Sequence, residues 1–197
     1  MKAKAQFQTR REEILGVSSD LFKQKGFSAT TMREIAEHVG IEAASIYNHI
    51  RGKEELLIEI CNKVSNDYLS KMETIDRQYD SPLEKLKELI AIHIQIVCDN
   101  TDGILIATNE WKHLPEPVQS DFKMARQKYE NQFLKIIREG IEKKELADID
   151  INIALYTILS SVRWLEVWFK PGKKINPEKI KADILTLLMN GLVKKND

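Results

Sequence analysis

The stretch GFSATTMREIAEHVGIEAASIYNHIRGKEEL, residues 26–56, decides how this chain reads. Thr31, Met32, Arg33 and Glu34 open it as a capping box: a Thr hydroxyl accepts an orphan N–H at a helix start, and a Glu three residues on reaches back to the cap. Met32, Ile35, Ala36 and Val39 share one apolar face at helical spacing, and Gly40 suits the turn past a helix end. A short helix is expected over about Glu42 to His49, then a turn at Gly52. A longer helix starts at Lys53, with Glu54 and Glu55 in its favourable first turn. Two short helices joined at a glycine make a helix-turn-helix. Ile35, Ala36, Val39, Ile41, Ile46 and Ile50 point inward and lock the pair. Ala43, Ala44, Ser45, Tyr47, Asn48 and His49 are left for the outward face. Small residues let a helix backbone sit deep in a major groove. Ser45, Tyr47 and His49 can donate to phosphates, and Asn48 can reach a base edge. Lys53, at a helix start, is expected to hold a further phosphate with help from the helix dipole.

Upstream, Ile14, Ser18, Leu21 and Phe22 stand at i, i+4, i+7 and i+8 of a first helix that stops at Gly26. Downstream, Asp76 to Ser81 reads as a linker. Ser81, Pro82, Leu83 and Glu84 then form a strong helix start, with Ser as cap and Pro at the first helical position. Ile92, Ile94 and Ile96 alternate as in a strand. No breaker separates them from the capped start, so the segment is expected to be a buried helix. Further helices are expected from about Gly103 to Leu114 and from Pro117 to Lys143, the latter with Val118, Phe122, Ala125, Tyr129, Phe133 and Ile136 at helical spacing. The last two run from Asp150 to Phe169 and, capped by Asn176, from Pro177 to Val193. The expected fold class is all-α, with a three-helix head bearing the helix-turn-helix over residues 1–53 and a helical body over 54–197, for which the residues discussed below suggest ligand binding and dimerisation.

The 197 residues, 43% hydrophobic and 30% charged, have the composition of a globular chain. Thirty basic residues balance thirty acidic ones, so net charge says nothing of nucleic acid. Its distribution says more. Through Lys53, nine basic residues face six acidic ones, a surplus of three positive charges that the rest of the chain cancels. A basic head on an acidic body fits phosphate contact at one end. Cys61 and Cys98 stand far apart, with no C-x-x-C and no His at ligand spacing, and read as two free core thiols. No metal and no cofactor is expected. The opening MKAKAQFQTRREE lacks the apolar stretch of a signal peptide. The longest apolar run, Leu89 to Cys98, is interrupted by His93 and Gln95 and is too short to span a bilayer. A cytoplasmic protein with no membrane partner is expected.

Ile151, Ala154, Leu155, Ile158 and Val162 make a wide apolar stripe in the body, answered by Ile180, Ile184, Leu187 and Leu188 across a turn at Pro171-Gly172. One hairpin carries more apolar surface than a small body needs, so pairing with a second copy is expected. Leu155, Ile158, Val162, Ile184 and Leu188 are the candidate interface residues; the alternative is that both stripes are internal core. Trp111, Trp164 and Trp168 all lie in the body. With His93, His113, Arg163 and Glu110 they are candidates to line a ligand pocket between helices. Arg163 and Glu166, one helical turn apart, can instead simply pair with each other.

The run from Gly26 to Ala36, then Gly40 and Ile41, Ser45 to Ile50, and Lys53 to Leu56 resembles the TetR family signature almost position by position. The resemblance implies that Thr31, Tyr47 and Lys53 hold phosphates and that Arg33, Ala43, Ala44, Ser45 and Asn48 face the bases. His49 matches the family's usual His. Two positions depart from the pattern: Glu42 stands where Ser or Thr often caps the recognition helix, a poorer cap, and Ile50 replaces a common Phe. The resemblance also implies that the last helix pair builds a four-helix dimer interface. Further on, Glu110 to Leu114, Tyr129, Gly140, Asp150, Trp164 to Gly172, and Gly191-Leu192 look like the subgroup that senses acyl-CoA thioesters, whose members carry a Trp-aromatic-basic-Pro-Gly turn. For such a ligand, Arg126, Lys123 and Lys128 are candidate phosphate cations. Trp111, His113, Arg126, Arg163, Trp164 and Trp168 therefore form the candidate effector set.

The implied function is a DNA-binding repressor, dimeric on a pseudo-palindromic operator and released by a small hydrophobic effector such as an acyl-CoA. Two rivals stand beside it: a sensor of drugs or aromatic compounds on the same scaffold, and a helical protein-interaction module without DNA binding. An enzyme is not expected, because H-E-x-x-H, G-x-S-x-G and a phosphate-binding glycine loop are all missing from the sequence.

Overall fold

Thr9 opens the first helix of the computed structural model, which describes residues 9–169 and 176–192. Its hydroxyl accepts from the Glu12 N–H while the Glu12 carboxylate takes the Thr9 N–H, a complete capping box ahead of α1 (Arg10–Lys25). There follow α2 (Met32–Val39), a 3₁₀ turn (Ser45–Asn48), α3 (Lys53–Gln78) and α4 (Pro82–Asp99). The chain continues through α5 (Thr101–Glu110), a second 3₁₀ turn (Trp111–His113), α6 (Val118–Glu142), α7 (Ile151–Arg163), the short α8 (Leu165–Trp168) and α9 (Pro177–Leu192). The class is all-α, as expected. The turn at Lys170, Pro171 and Gly172, the residues ahead of Thr9, and Val193 lie outside the described residues.

Four local expectations need correction. Thr31 caps α2 by accepting from the Glu34 N–H, but Glu34 does not reach back; its carboxylate pairs with Lys25 and is held below its usual pKa by that bond. The recognition element is not a helix over Glu42 to His49. Its hydrogen bonds close at i+3, Ser45 N to Glu42 O and His49 N to Ile46 O, and no side chain caps it. Tight i+3 bonding suits an element too short to build an α-helical ladder. The linker shrinks, because α3 continues to Gln78 with Met72 and Ile75 buried along it. Finally, the helix from Asp150 breaks at Trp164, whose N–H reaches Ser160 O only at 3.4 Å.

Two compact units result. The first comprises residues 1–64 and 102–122, the second 65–101 and 123–197. The 102–122 segment thus falls in the first unit. Lys23 pairs with Asp102, and the Phe27 ring stacks on His113 at 5.3 Å between centroids. In this unit Ile14, Leu21, Phe22, Ile35, Ala36, Ile46, Ile50, Leu56 and Leu57 form the core. Gly40, at φ 77° and ψ 35°, makes the left-handed turn between α2 and the recognition element, a conformation that costs a side chain with a Cβ.

In the second unit α4 lies against α7, α8 and α9. Ser81 caps α4, and the Glu145 carboxylate accepts from both the Ser81 hydroxyl (2.7 Å) and the Leu83 N–H (3.0 Å). Leu86, Leu89, Ile90 and Ile94 of α4, Phe133, Ile136 and Ile137 of α6, and Ala154, Leu155, Ile158 and Val162 of α7 are all buried. Each of them except Ala154 contributes about 1.5–3 kcal/mol by leaving water. Cys61 and Cys98 are both free and buried, and burial pushes the Cys61 thiol up to about 12. No single helix among the described residues is long and apolar enough to cross a membrane.

Candidate nucleic-acid interface and effector site

Ile46 and Ile50 are fully buried in the head, and they pin the 3₁₀ turn so that its other side looks outward. On that side Ala43, Ala44, Tyr47, Asn48 and His49 are exposed and Ser45 is half-buried. Tyr47 is 57% exposed, a large ring that no core packing explains. At the start of α2, Thr31 and Arg33 are exposed, and Arg33 forms no ion pair among the described residues. These eight residues share one unit and offer hydroxyls, an amide, an imidazole and a guanidinium beside two alanines. The set can read a base edge and hold phosphates at once.

Lys53 does something else. Its ammonium donates to the carbonyls of Phe27 (2.8 Å), Thr30 (2.9 Å) and Ser28 (3.3 Å), and it lies 4.4 Å from the centre of the Phe27 ring. All three donors of the head group are spent on the α1–α2 connection, where chain outside a helix leaves carbonyls without helical partners. Without DNA, Lys53 thus clamps the loop that delivers Thr31. Arg11 fixes α1 to α3 in the same unit, pairing with Glu55 at 3.0 Å and with Glu59. Its guanidinium pKa is raised by those two hydrogen bonds.

Of the candidate effector set, Trp111 and His113 belong to the first unit and Arg126, Arg163, Trp164 and Trp168 to the second. Trp111 stacks on Phe122, and His113 sits on Phe27 with the Ser28 hydroxyl 3.4 Å away, both in the first unit. Arg126 pairs with Glu130 on its own helix at 3.0 Å. Arg163 takes Glu166 at 3.2 Å, the pairing that was the simpler of its two readings. Trp164 is 64% exposed, and Trp168 is exposed as well. The candidate interface also sorts differently. Leu155, Ile158 and Val162 are at most 1% exposed and belong to the core of their own chain, because α7 turns that stripe inward. The outward apolar residues here are Ile153 and Tyr156 on α7, Trp164 at the break, Val167 and Trp168 on α8, and Leu187 on α9; Ile184 and Leu188 are half-buried.

Sequence reasoning missed one cluster of the second unit. Tyr68 on α3, His93 on α4 and Tyr129 on α6 join through His93, whose Nε2 lies 3.4 Å from the Tyr68 hydroxyl and whose Nδ1 lies 3.1 Å from that of Tyr129. Their rings pack at 4.8–5.7 Å between centroids, with Phe133 edge-on to Tyr129. Two of its members carried a signal: His93, a pocket candidate as a polar residue in an apolar run, and Tyr129, one of the positions that resemble acyl-CoA sensors. Tyr68 falls on the stripe of Cys61, Val64, Met72 and Ile75, which reads as core.

Burial lowers the His93 pKa from 6.5 to about 4, so the imidazole is neutral at physiological pH. In the unfolded chain it protonates near 6.5. The unfolded state therefore binds more protons between the two values, and stability rises with pH across that window. We expect full stability above pH 6.5 and a progressive loss, reaching about 3 kcal/mol, as pH falls to 4. Urea unfolding across that range tests it: His93→Met should flatten the His-dependent part of the profile, and an unchanged slope would contradict the assignment.

Residues 14–60 match the model of "Bacterial regulatory proteins, tetR family", and residues 79–192 match "Tetracyclin repressor-like, C-terminal domain". The chain is 28% identical over 187 residues to the HTH-type transcriptional repressor KstR2 of Mycolicibacterium smegmatis, covering 93% of this chain and 91% of that one. The solved ketosteroid transcriptional regulator KstR2 of Mycobacterium tuberculosis superposes with a TM-score of 0.89 at 23% identity, over 96% of this chain and 98% of that one. AibR, solved in complex with isovaleryl coenzyme A and operator DNA, gives 0.76 at 22% identity, over 91% and 97%. At these identities the two structural likenesses carry the fold.

Proposed function

The chain belongs to the TetR family of bacterial regulatory proteins, and from that premise we propose that it is a repressor that grips a pseudo-palindromic operator as a homodimer and lets go when an acyl-CoA thioester binds its body. It is a helix-turn-helix DNA-binding transcriptional regulator. The observation that carries the DNA reading is the outward face of Ala43, Ala44, Tyr47, Asn48 and His49, held in place by buried Ile46 and Ile50. The thioester reading rests on the resemblance of the Trp164 to Gly172 segment to acyl-CoA sensors. It is supported by AibR, a protein of this fold that holds isovaleryl coenzyme A and operator DNA.

Within the head, Asn48 reads a base edge, while Thr31 and Tyr47 hold phosphates. Asn48→Ala should relax preference at a few operator positions, by about 1–3 kcal/mol for each base pair it reads. Tyr47→Phe should weaken operator and random DNA alike. Competition binding against both DNAs separates the two, and equal effects of both changes would contradict the division.

Linkage governs the effector. A ligand that weakens operator binding tenfold must itself bind the DNA complex tenfold more weakly, about 1.4 kcal/mol of coupling. Titrating acyl-CoAs of graded chain length against labelled operator tests this, with Trp fluorescence as a second readout. Affinity should rise with each methylene, by no more than about 0.8 kcal/mol per group, until the apolar channel is full. If no acyl-CoA moves either signal while aromatic drugs do, the thioester reading is wrong and the drug-sensing one takes its place.

A further inference from the structure

The Tyr68–His93–Tyr129 cluster has one hydrogen-bond donor too many. A neutral imidazole carries one N–H and one bare nitrogen. The bare nitrogen accepts the O–H of one tyrosine, and the N–H donates to the oxygen of the other. That second tyrosine keeps its own O–H, and among the described residues neither hydroxyl has any partner but His93. Whichever tautomer forms, one phenolic proton is left without an acceptor. Tyr129 is buried, whereas Tyr68 and His93 keep some reachable surface although His93 is desolvated enough to stay neutral. Tyr68 and His93 can therefore be reached from outside the packed core. Leaving a buried donor unpaired is costly, so a reachable cluster with a spare O–H fits a ligand that brings an acceptor.

We propose that Tyr68, His93 and Tyr129 bind an uncharged carbonyl oxygen of the effector, at the point where its apolar part meets its polar part. This rests on the reading that the body takes a small-molecule effector. The charge of that oxygen follows from the surroundings. Glu166, itself buried, acts electrostatically on Tyr68 and disfavours a second negative group there. Its partner Arg163 keeps its own side chain mostly in solvent, and a neutral His93 supplies no cation. A thioester or ketone is therefore accepted ahead of a free carboxylate. Tyr129, edge-on to the Phe133 ring, and the face of Tyr68 supply the apolar contacts beside the carbonyl.

Two ligand pairs test the proposal: hexanoyl-CoA against S-hexyl-CoA, a thioether without the carbonyl, and methyl heptyl ketone against the matched alkane. Binding is read by Trp fluorescence on the full chain. The wild type should prefer the carbonyl member about tenfold, the worth of one well-made hydrogen bond. The triple variant Tyr68→Phe, His93→Met, Tyr129→Phe removes every donor without orphaning a partner, and it should bind both members alike. If that variant does not fold, the wild-type pairs decide alone. Equal binding of both CoA ligands, each releasing operator, overturns the carbonyl site and leaves the CoA effector standing. No CoA binding with the ketone preferred overturns the CoA effector and upholds the site. No preference in either pair, or a preference that survives in the triple variant, overturns the site.

Discussion

Aspartate at both Ile153 and Leu187 is expected to leave a folded monomer whose operator affinity has fallen at least a hundredfold. The two side chains are 68% and 75% exposed in the single chain, so a charge there costs its own fold little. Ile153 and Tyr156 on α7, Trp164 at the break and Val167 on α8 leave apolar surface that solvent does not favour and a second copy would cover. Losing the second head removes the gain from an effective concentration in the millimolar range, about a hundredfold or more. Leu155→Asp is the contrasting control. That residue is 1% exposed, so the buried charge should unfold the body instead of splitting a dimer. Light scattering and anisotropy on labelled operator give both readouts. A double variant that stays dimeric would place the interface elsewhere.

Lys53→Met is expected to destabilise the head by about 2–4 kcal/mol, the worth of three hydrogen bonds from a charged donor to backbone carbonyls at a partly solvated site. Methionine keeps the stem over the Phe27 ring, so the loss isolates the ammonium. Operator binding should weaken for all sequences together, because the loop that presents Thr31 is loosened. The slope of log affinity against log salt should not change. A phosphate contact, the role the family resemblance implies, would behave oppositely, with stability unchanged and the slope flattened by about one unit. Thermal unfolding and a salt titration of the same variant decide between the two.

The contrast shows what was legible in the sequence. The helix-turn-helix could be read because its determinants are local: Thr31 caps, Gly40 turns, and Ile35, Ala36, Val39, Ile46 and Ile50 mark the inside at short range. Lys53 could not, since its partners Phe27, Ser28 and Thr30 lie more than twenty residues back and offer only backbone oxygens. The recognition element was read as an α-helix from its position between two turns, and only Glu42, the poor cap, warned against it. On α7 the pattern showed that the helix is apolar without saying which side faces its own chain. Leu155 and Ile153 look alike in one dimension, and only the packing of α4 on α7 distinguishes them. The tryptophans drew attention by size, which marks exposed interface residues as readily as pocket walls. Tyr68 hid within a core stripe, and only the fold brings its hydroxyl and that of Tyr129 to His93.

The central claim is that two copies of this chain read DNA through the face of Ala43 to His49. Selection of bound sites from a random duplex pool by the full chain tests it most directly. The account expects one enriched pseudo-palindrome, its half-sites separated by a whole number of helical turns of about ten base pairs. It also expects the enrichment at a few positions in each half to fade when Asn48→Ala replaces the wild type. A pool that stays random, or an enriched site without two-fold symmetry that Asn48→Ala leaves untouched, would contradict it.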